Sequence, residues 1–117
     1  MVEYIEEPEL KERAIAIAKK MNLDHVDFDR VHFYSYSCET RTCAKITGFF
    51  KTLQLIYPHI KPFYVITFNN YNFERVSKRD QDVTILHELL HMPKNFSGEF
   101  GKIKHSEIRR LSKEWIN

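Results

Sequence analysis

Three residues whose types and spacing could support hydrolysis, His87, Glu88 and His91, form the pattern H-E-x-x-H. In an α-helix each residue advances about 100°, so His91 lies roughly 40° around from His87 and about 6 Å further along the axis. Both imidazoles then face one side and could bind a single Zn²⁺, which also needs a third protein ligand and leaves a fourth position for water. The pattern therefore predicts a zinc site in which Glu88 takes a proton from the zinc-bound water.

An ordinary hydrogen-bonded core pair is the alternative interpretation of these residues. For this composition the chance expectation of the pattern is only roughly 0.03. The surrounding residues are apolar on nearly every side, which indicates a buried segment in which polar side chains need partners. These apolar neighbours are Val83, Ile85, Leu86, Leu89 and Leu90. The setting favours the metal site.

The third metal ligand must come from elsewhere in the chain, and His105 is the best candidate. It is the only histidine after the pattern, and it follows a glycine-bearing loop that Pro93 introduces. Glu99 and Glu107 are the rival ligands, because carboxylate oxygens also bind zinc. The remaining histidines are expected to be structural or surface residues: His25, His32 and His59.

Local signals predict the helix that carries the pattern. Ser77 is a suitable N-cap, and Asp80 three residues later resembles a capping box. A residue that precedes proline is disfavoured in helical geometry, so the helix should end just past His91, before Pro93. This segment is thus expected to be a helix with a defined start and end.

The remaining elements indicate an α+β protein. Alternating and β-branched residues predict strands over Val31–Ser37 and Thr42–Phe49, joined as a hairpin, and a buried strand over Phe63–Phe68. Asparagines 69, 70 and 72 then supply turn chemistry. Helical spacing predicts helices from Pro8 to about Met21, over Phe50–Tyr57, and from about His105 onward with Trp115 as its anchor. The acidic segment 22–30 is expected to be a polar loop or extended segment rather than a cation site.

Composition suggests one compact domain spanning residues 1–117, since 43% of the residues are hydrophobic and 14% aromatic. The net charge is +2, although residues 61–117 are mildly basic, with 10 Lys and Arg against 7 Asp and Glu. A nucleic-acid partner is therefore a weaker alternative to a peptide or protein substrate. No membrane span or secretory signal is evident, so we expect a cytoplasmic protein in which Cys38 and Cys43, flanking the hairpin turn, are free thiols.

The segment LHELLHMPKNFSG resembles the small predicted zinc metallopeptidases of archaea and their viruses, which are similar to a minimal zincin domain. Looser similarity includes RTCAKITGF and FYVITF and covers about residues 31–116. The resemblance implies a zincin-like fold, with a few-stranded mixed sheet on the metal helix and helices flanking it. It also implies zinc on His87 and His91 and a catalytic base at Glu88. As in SprT-like proteases, a third histidine follows late, here at His105.

The leading hypothesis is thus a zinc metallopeptidase of the HExxH class. The alternatives are a non-catalytic, zinc-stabilised binding module and a DNA-associated protease of the SprT-like kind. Zinc itself can stabilise the oxyanion that forms during peptide hydrolysis. Additional stabilisers could be Tyr36, Tyr71 or Arg109, among which the sequence does not choose.

Overall fold

The computed structural model describes residues 2–116, without the side chain of Trp115, so the predicted anchoring role of that residue lies outside the described part of the chain. Within these residues the protein is α+β, with a four-stranded mixed sheet and five α-helices. The strands are β1 (Ile5–Glu6), β2 (Val31–Tyr36), β3 (Ala44–Gly48) and β4 (Tyr64–Asn69). The helices are α1 (Pro8–Lys20), α2 (Lys51–Ile56), α3 (Asn70–Phe73), α4 (Lys78–Leu90) and α5 (His105–Trp115).

The strand order in the sheet is β1-β2-β4-β3. The last strand in sequence, β4, runs parallel to β2 and antiparallel to β3. The predicted hairpin between β2 and β3 is therefore wrong, because β4 lies between them. The short strand β1, which pairs antiparallel with β2, was not predicted. Strand β3 forms an edge of the sheet.

The connection between β2 and β3 crosses the end of β4, and the side chain of Asn69 holds it there. Asn69 is fully buried, and its Oδ1 accepts a hydrogen bond from the Cys38 N–H at 3.0 Å. Its Nδ2 donates to the carbonyl oxygens of Cys38 at 2.8 Å and Thr42 at 3.0 Å. Asn69 also shows the predicted turn chemistry, because its Oδ1 accepts from the Tyr71 N–H at 3.2 Å at the start of α3. Cys38 and Cys43 flank this crossing segment between β2 and β3 and are both free thiols.

Helices cover one face of the sheet. In β2 the alternate residues Val31, Phe33 and Ser35 are buried, whereas His32 on the other face is exposed. This alternation places the core between the sheet and a helical layer in which α4 contacts both α1 and α5. Residues from α1, β2, β3, β4, α4 and α5 form this core, including Ala14, Phe33, Ile46, Ile66, Phe68, Ile85, Leu86, Leu89 and Ile108.

The guanidinium of Arg13 fixes α1 against α4, because it donates to Gln81 Oε1 at 3.0 Å and Asp82 Oδ1 at 2.6 Å. In the acidic segment 22–30, Asp27 caps a short 3₁₀ turn and accepts from Arg30 at 2.8 Å, in keeping with a polar loop. None of the helices described within residues 2–116 is long and apolar enough to span a membrane.

Candidate metal centre

Helix α4 begins and ends as its sequence signals predict. Ser77 Oγ accepts a hydrogen bond from the Asp80 N–H at 3.2 Å, which confirms the N-cap. The helix ends at Leu90, with His91 as its C-cap. Its fully buried leucine and isoleucine side chains, Ile85, Leu86 and Leu89, fix the rotation of the helix against the core. His87 and His91 are consequently half-buried on a neighbouring side.

The two histidines of α4 have the separation expected of metal ligands. Their Nε2 atoms are 3.3 Å apart. Two ligands of a tetrahedral zinc ion, each about 2.0–2.1 Å from the metal, are separated by roughly 3.3 Å. The exposed His105 joins them from the start of α5, so that one ligand atom from each of the three residues lies within 4.8 Å of the others. The donor set therefore fits a zinc ion that has one position left open.

The loop between α4 and α5 folds back on the helix and so returns the chain toward the histidines. The N–H of Gly101 donates to the carbonyl oxygen of His91 at 2.7 Å. Phe96 is buried at positive φ and meets the ring of Tyr64 edge-on at 5.0 Å. Gly98 has φ 88°, and the Tyr64 hydroxyl accepts from its N–H at 3.0 Å and donates to the carbonyl oxygen of Glu99 at 2.6 Å. These contacts fix the path that leads to His105.

The rival ligands have other partners. A carboxylate oxygen of Glu99 accepts from the backbone N–H of Lys51 at 2.5 Å, at the start of α2. Glu107 is exposed and lies 3.8 Å from Arg110. Neither belongs to the group of potential metal ligands found among the described residues. Of the three candidates for the third position, the structure brings only His105 to the other two histidines.

Burial favours the neutral form of two imidazoles, those of His87 and His91. It lowers the pKa of His87 to about 4, with smaller contributions from the nearby charges of His91, His105 and Arg109. Burial, followed by the charge of His105, also lowers the pKa of His91. Neutral imidazole is the form that binds metal, so at neutral pH His87 and His91 need no deprotonation before a cation enters.

Glu88 is 7% exposed, and burial raises its pKa to about 7. The Cys43 thiol at the start of edge strand β3 is close enough to Glu88 for the carboxylate to contribute to its raised pKa, whose main cause is burial. A hydrogen bond from the side chain of Thr84 to this thiol acts in the opposite direction. One end of β3 therefore passes the carboxylate that was predicted to be the base.

The three residues considered as oxyanion stabilisers have different positions. Arg109 is close enough to His87 to lower the pKa of that imidazole. The ring of Tyr71 instead stacks with the guanidinium of Arg75, 4.1 Å away, and the ring of Tyr36 contacts Tyr4, with centroids 5.4 Å apart. Of these three, Arg109 is the one for which the structure shows an interaction with the histidine group.

The other histidines lie outside this group. The His25 imidazole hydrogen-bonds to the backbone of Met92, and the ring of His32 meets Phe63 edge-on at 5.9 Å. His59 is exposed in the turn after α2.

A family model described as "Putative phage metallopeptidase" matches residues 2–114. The chain belongs to this family. The match includes α1, whereas the resemblance seen in the sequence covers about residues 31–116. No curated protein and no solved structure matches the chain. The family description and the three-histidine group together indicate a metal-dependent peptidase.

Several contacts around the site have no signal in the sequence. The aromatic ring of Phe100 lies 5.8 Å from that of His91, and its other neighbour is Phe50 at 5.1 Å. Tyr64 was recognised only as part of a buried strand, although its hydroxyl secures the loop before His105. Both features depend on how distant segments pack, which periodicity and motif spacing do not report.

Proposed function

We propose that this chain is a zinc-dependent metallopeptidase with a zincin-like fold, in which His87, His91 and His105 bind the metal and Glu88 is the general base. The observation that supports this most directly is the 3.3 Å separation of the His87 and His91 Nε2 atoms, with His105 brought beside them. A metal held by three side chains keeps an open position, as catalytic zinc sites do. Membership in a metallopeptidase family supports the same reaction class.

A zinc ion bound there would supply a positive charge next to the substrate carbonyl and lower the pKa of water. Peptide hydrolysis adds hydroxide to the carbonyl carbon, breaks the C–N bond and transfers a proton to the departing amine. Glu88 would accept the proton from water at its carboxylate and pass it to that amine. Its position next to His87 in sequence, on the same helix, keeps it beside the metal ligands without making it one of them.

The substrate in this proposal is an extended peptide or protein segment. Strand β3 is an edge of the sheet, and an exposed edge binds extended chains by adding main-chain hydrogen bonds. Cys43, at one end of β3, lies near Glu88, so a segment paired along this strand would pass the proposed base. In this proposal the strand edge binds the substrate, and the carboxylate of Glu88 acts on the same bound chain.

A comparison of Glu88→Gln with Glu107→Gln tests the proposal. Purified wild-type protein should bind one zinc ion and cleave peptides from an unfolded-protein digest or library. Glu88→Gln should retain the zinc and lose turnover by about 10²- to 10⁴-fold, because only the proton transfer is removed. Glu107→Gln removes the same charge from an exposed position on α5 and should behave like the wild type.

The same experiment should include His105→Gln, which is expected to weaken zinc binding as measured by competition with a chelator. The proposal fails if wild-type protein binds zinc stoichiometrically and leaves every peptide intact, a result that would favour a zinc-stabilised binding module. It also fails if Glu88→Gln retains full turnover.

A further inference from the structure

Half of the residues of helix α2 are large and apolar, and yet the helix has no buried residue. Leu53 is 39% exposed, Ile56 60% and Leu55 73%. Single exposed apolar side chains are common, but a contiguous group of them marks an interaction surface. The sequence of α2 is therefore explained better by a partner than by the packing of this chain.

The residues Phe50, Leu53, Ile56, Tyr57 and Phe100 define what we call the α2 patch. Spacings of three and four residues place Leu53, Ile56 and Tyr57 on one side of the helix, next to Phe50, and all five side chains are exposed.

The α2 patch is continuous with the histidine group. The rings of Phe50 and Phe100 meet edge-on with centroids 5.1 Å apart, and Phe100 lies 5.8 Å from the ring of His91. An exposed apolar surface therefore extends from α2 to one of the proposed metal ligands.

Hydrogen bonds hold the patch in a fixed position relative to the site. Gln54 Nε2 donates to the carbonyl oxygens of Phe49 at 2.6 Å and Ser97 at 2.7 Å, so one side of α2 is attached to the loop that follows α4. The carboxylate of Glu99 accepts from the first N–H of the helix, at Lys51. A ligand bound to the patch would thus have a defined distance from His91.

The patch also directly follows edge strand β3 in the chain. This strand ends at Gly48, and α2 starts at Lys51. A polypeptide added along β3 advances about 3.3 Å per residue, so a segment of about seven residues would cover the strand and extend to Phe50. Main-chain pairing on β3 and apolar contact on α2 could therefore act on the same chain.

We infer that the α2 patch is a docking surface for apolar side chains of a polypeptide substrate, at positions several residues away from the bond that is cleaved. The inference rests on the proposed peptidase function, which it deepens by naming a substrate class. The favoured substrate is an unfolded or extended segment with clustered Leu, Ile, Val or Phe residues, since folded proteins bury such clusters.

Two peptides and two variants test this inference. The first peptide contains a cleaved sequence of about six residues, and the second carries the same sequence with leucine-rich extensions of about six residues at both ends. Leu53→Glu places a charge in the patch, whereas Leu55→Glu makes the same change roughly 160° away on the helix. Circular dichroism verifies that both variants remain folded.

Wild-type protein should cleave the extended peptide with a KM about tenfold lower than that of the short one, which corresponds to the burial of one large apolar side chain. Leu53→Glu should abolish this advantage and leave the cleavage of the short peptide unchanged. Leu55→Glu should resemble the wild type with both peptides. The inference is overturned if the extension confers no advantage or if both variants lose it equally.

Binding measurements separate this inference from the proposed function. If neither peptide is cleaved, the peptidase proposal fails, and docking is then judged by fluorescence anisotropy with the same labelled peptides. Tighter binding of the extended peptide that Leu53→Glu abolishes would support docking, and equal binding of both peptides would refute it. A wild-type dimer that Leu53→Glu converts to a monomer would instead assign the patch to contacts between copies.

Discussion

Replacing Tyr64 with Phe should reveal how much stability the loop before His105 draws from one hydroxyl group. This hydroxyl, which belongs to a fully buried residue, donates to the carbonyl oxygen of Glu99 and accepts from the N–H of Gly98. Phe preserves the ring and its contact with Phe96 but leaves a buried N–H and a carbonyl oxygen without this partner. An unsatisfied buried group costs about 1–3 kcal/mol, so we expect a loss of about 2 kcal/mol in the free energy of unfolding.

The expected change is large enough to measure by two methods. For 117 residues the entropy of unfolding is about 0.25 kcal/mol/K, so a loss of about 2 kcal/mol lowers Tm by about 8 °C. Urea unfolding should show a lower midpoint with an unchanged m-value. Tyr57→Phe removes a hydroxyl from an exposed tyrosine and should change stability by less than about 0.5 kcal/mol. A Tyr64→Phe variant as stable as this control would refute the two hydrogen bonds.

Two further substitutions test the crossing segment and the half-buried imidazole of His25 in the loop after α1. Asn69→Ala should reduce the free energy of unfolding by about 3 kcal/mol or more, because it removes hydrogen bonds to both Cys38 and Thr42. Urea unfolding measures this change, and a loss below about 1 kcal/mol would contradict the structure. Burial lowers the pKa of His25, so its neutral form is favoured in the folded state and stability falls as the pH drops below about 6.5. His25→Gln should therefore lose less stability than the wild type between pH 7.5 and 5.5, and equal losses in urea midpoints would argue against a desolvated imidazole.

The sequence predicts features that depend on neighbouring residues. Ser77 and Pro93 define the limits of α4, because capping and the restriction before proline act within a few residues. The start of α1 is likewise predicted by one proline, and α5 is predicted by apolar residues spaced three or four positions apart. The boundaries of α1, α2 and α4 and the start of α5 are consequently predicted to within one or two residues, whereas the four-residue α3 was expected to be a turn.

Features that depend on distant segments were predicted less well. Strand β4 pairs with both β2 and β3, and the side chain of Asn69 binds the connection that crosses its end, whereas the sequence around Asn69 predicts only a turn. The sequence also does not show that the carboxylate of Glu99 binds the Lys51 N–H at the start of α2, whereas His105 lies beside His87 and His91. Helical spacing predicts a helix over Phe50–Tyr57 but does not indicate that Leu53 is exposed. These features depend on tertiary packing, which local sequence patterns do not predict.

The position of β4 in the sheet imposes an order on folding. Strand β2 can form its parallel pairing only when β4 is present, since Val31 pairs with Tyr64. Strand β3 also joins the sheet only through β4. During synthesis the N-terminal half therefore emerges with only the short β1 available to pair with β2. Non-local pairing of this kind closes a long loop before it gains contacts, which slows folding and leaves strand edges open to aggregation. The segment from β4 to α4 completes the sheet and carries two of the three proposed metal ligands. The native sheet and the proposed metal site can therefore form only after this segment has been synthesised.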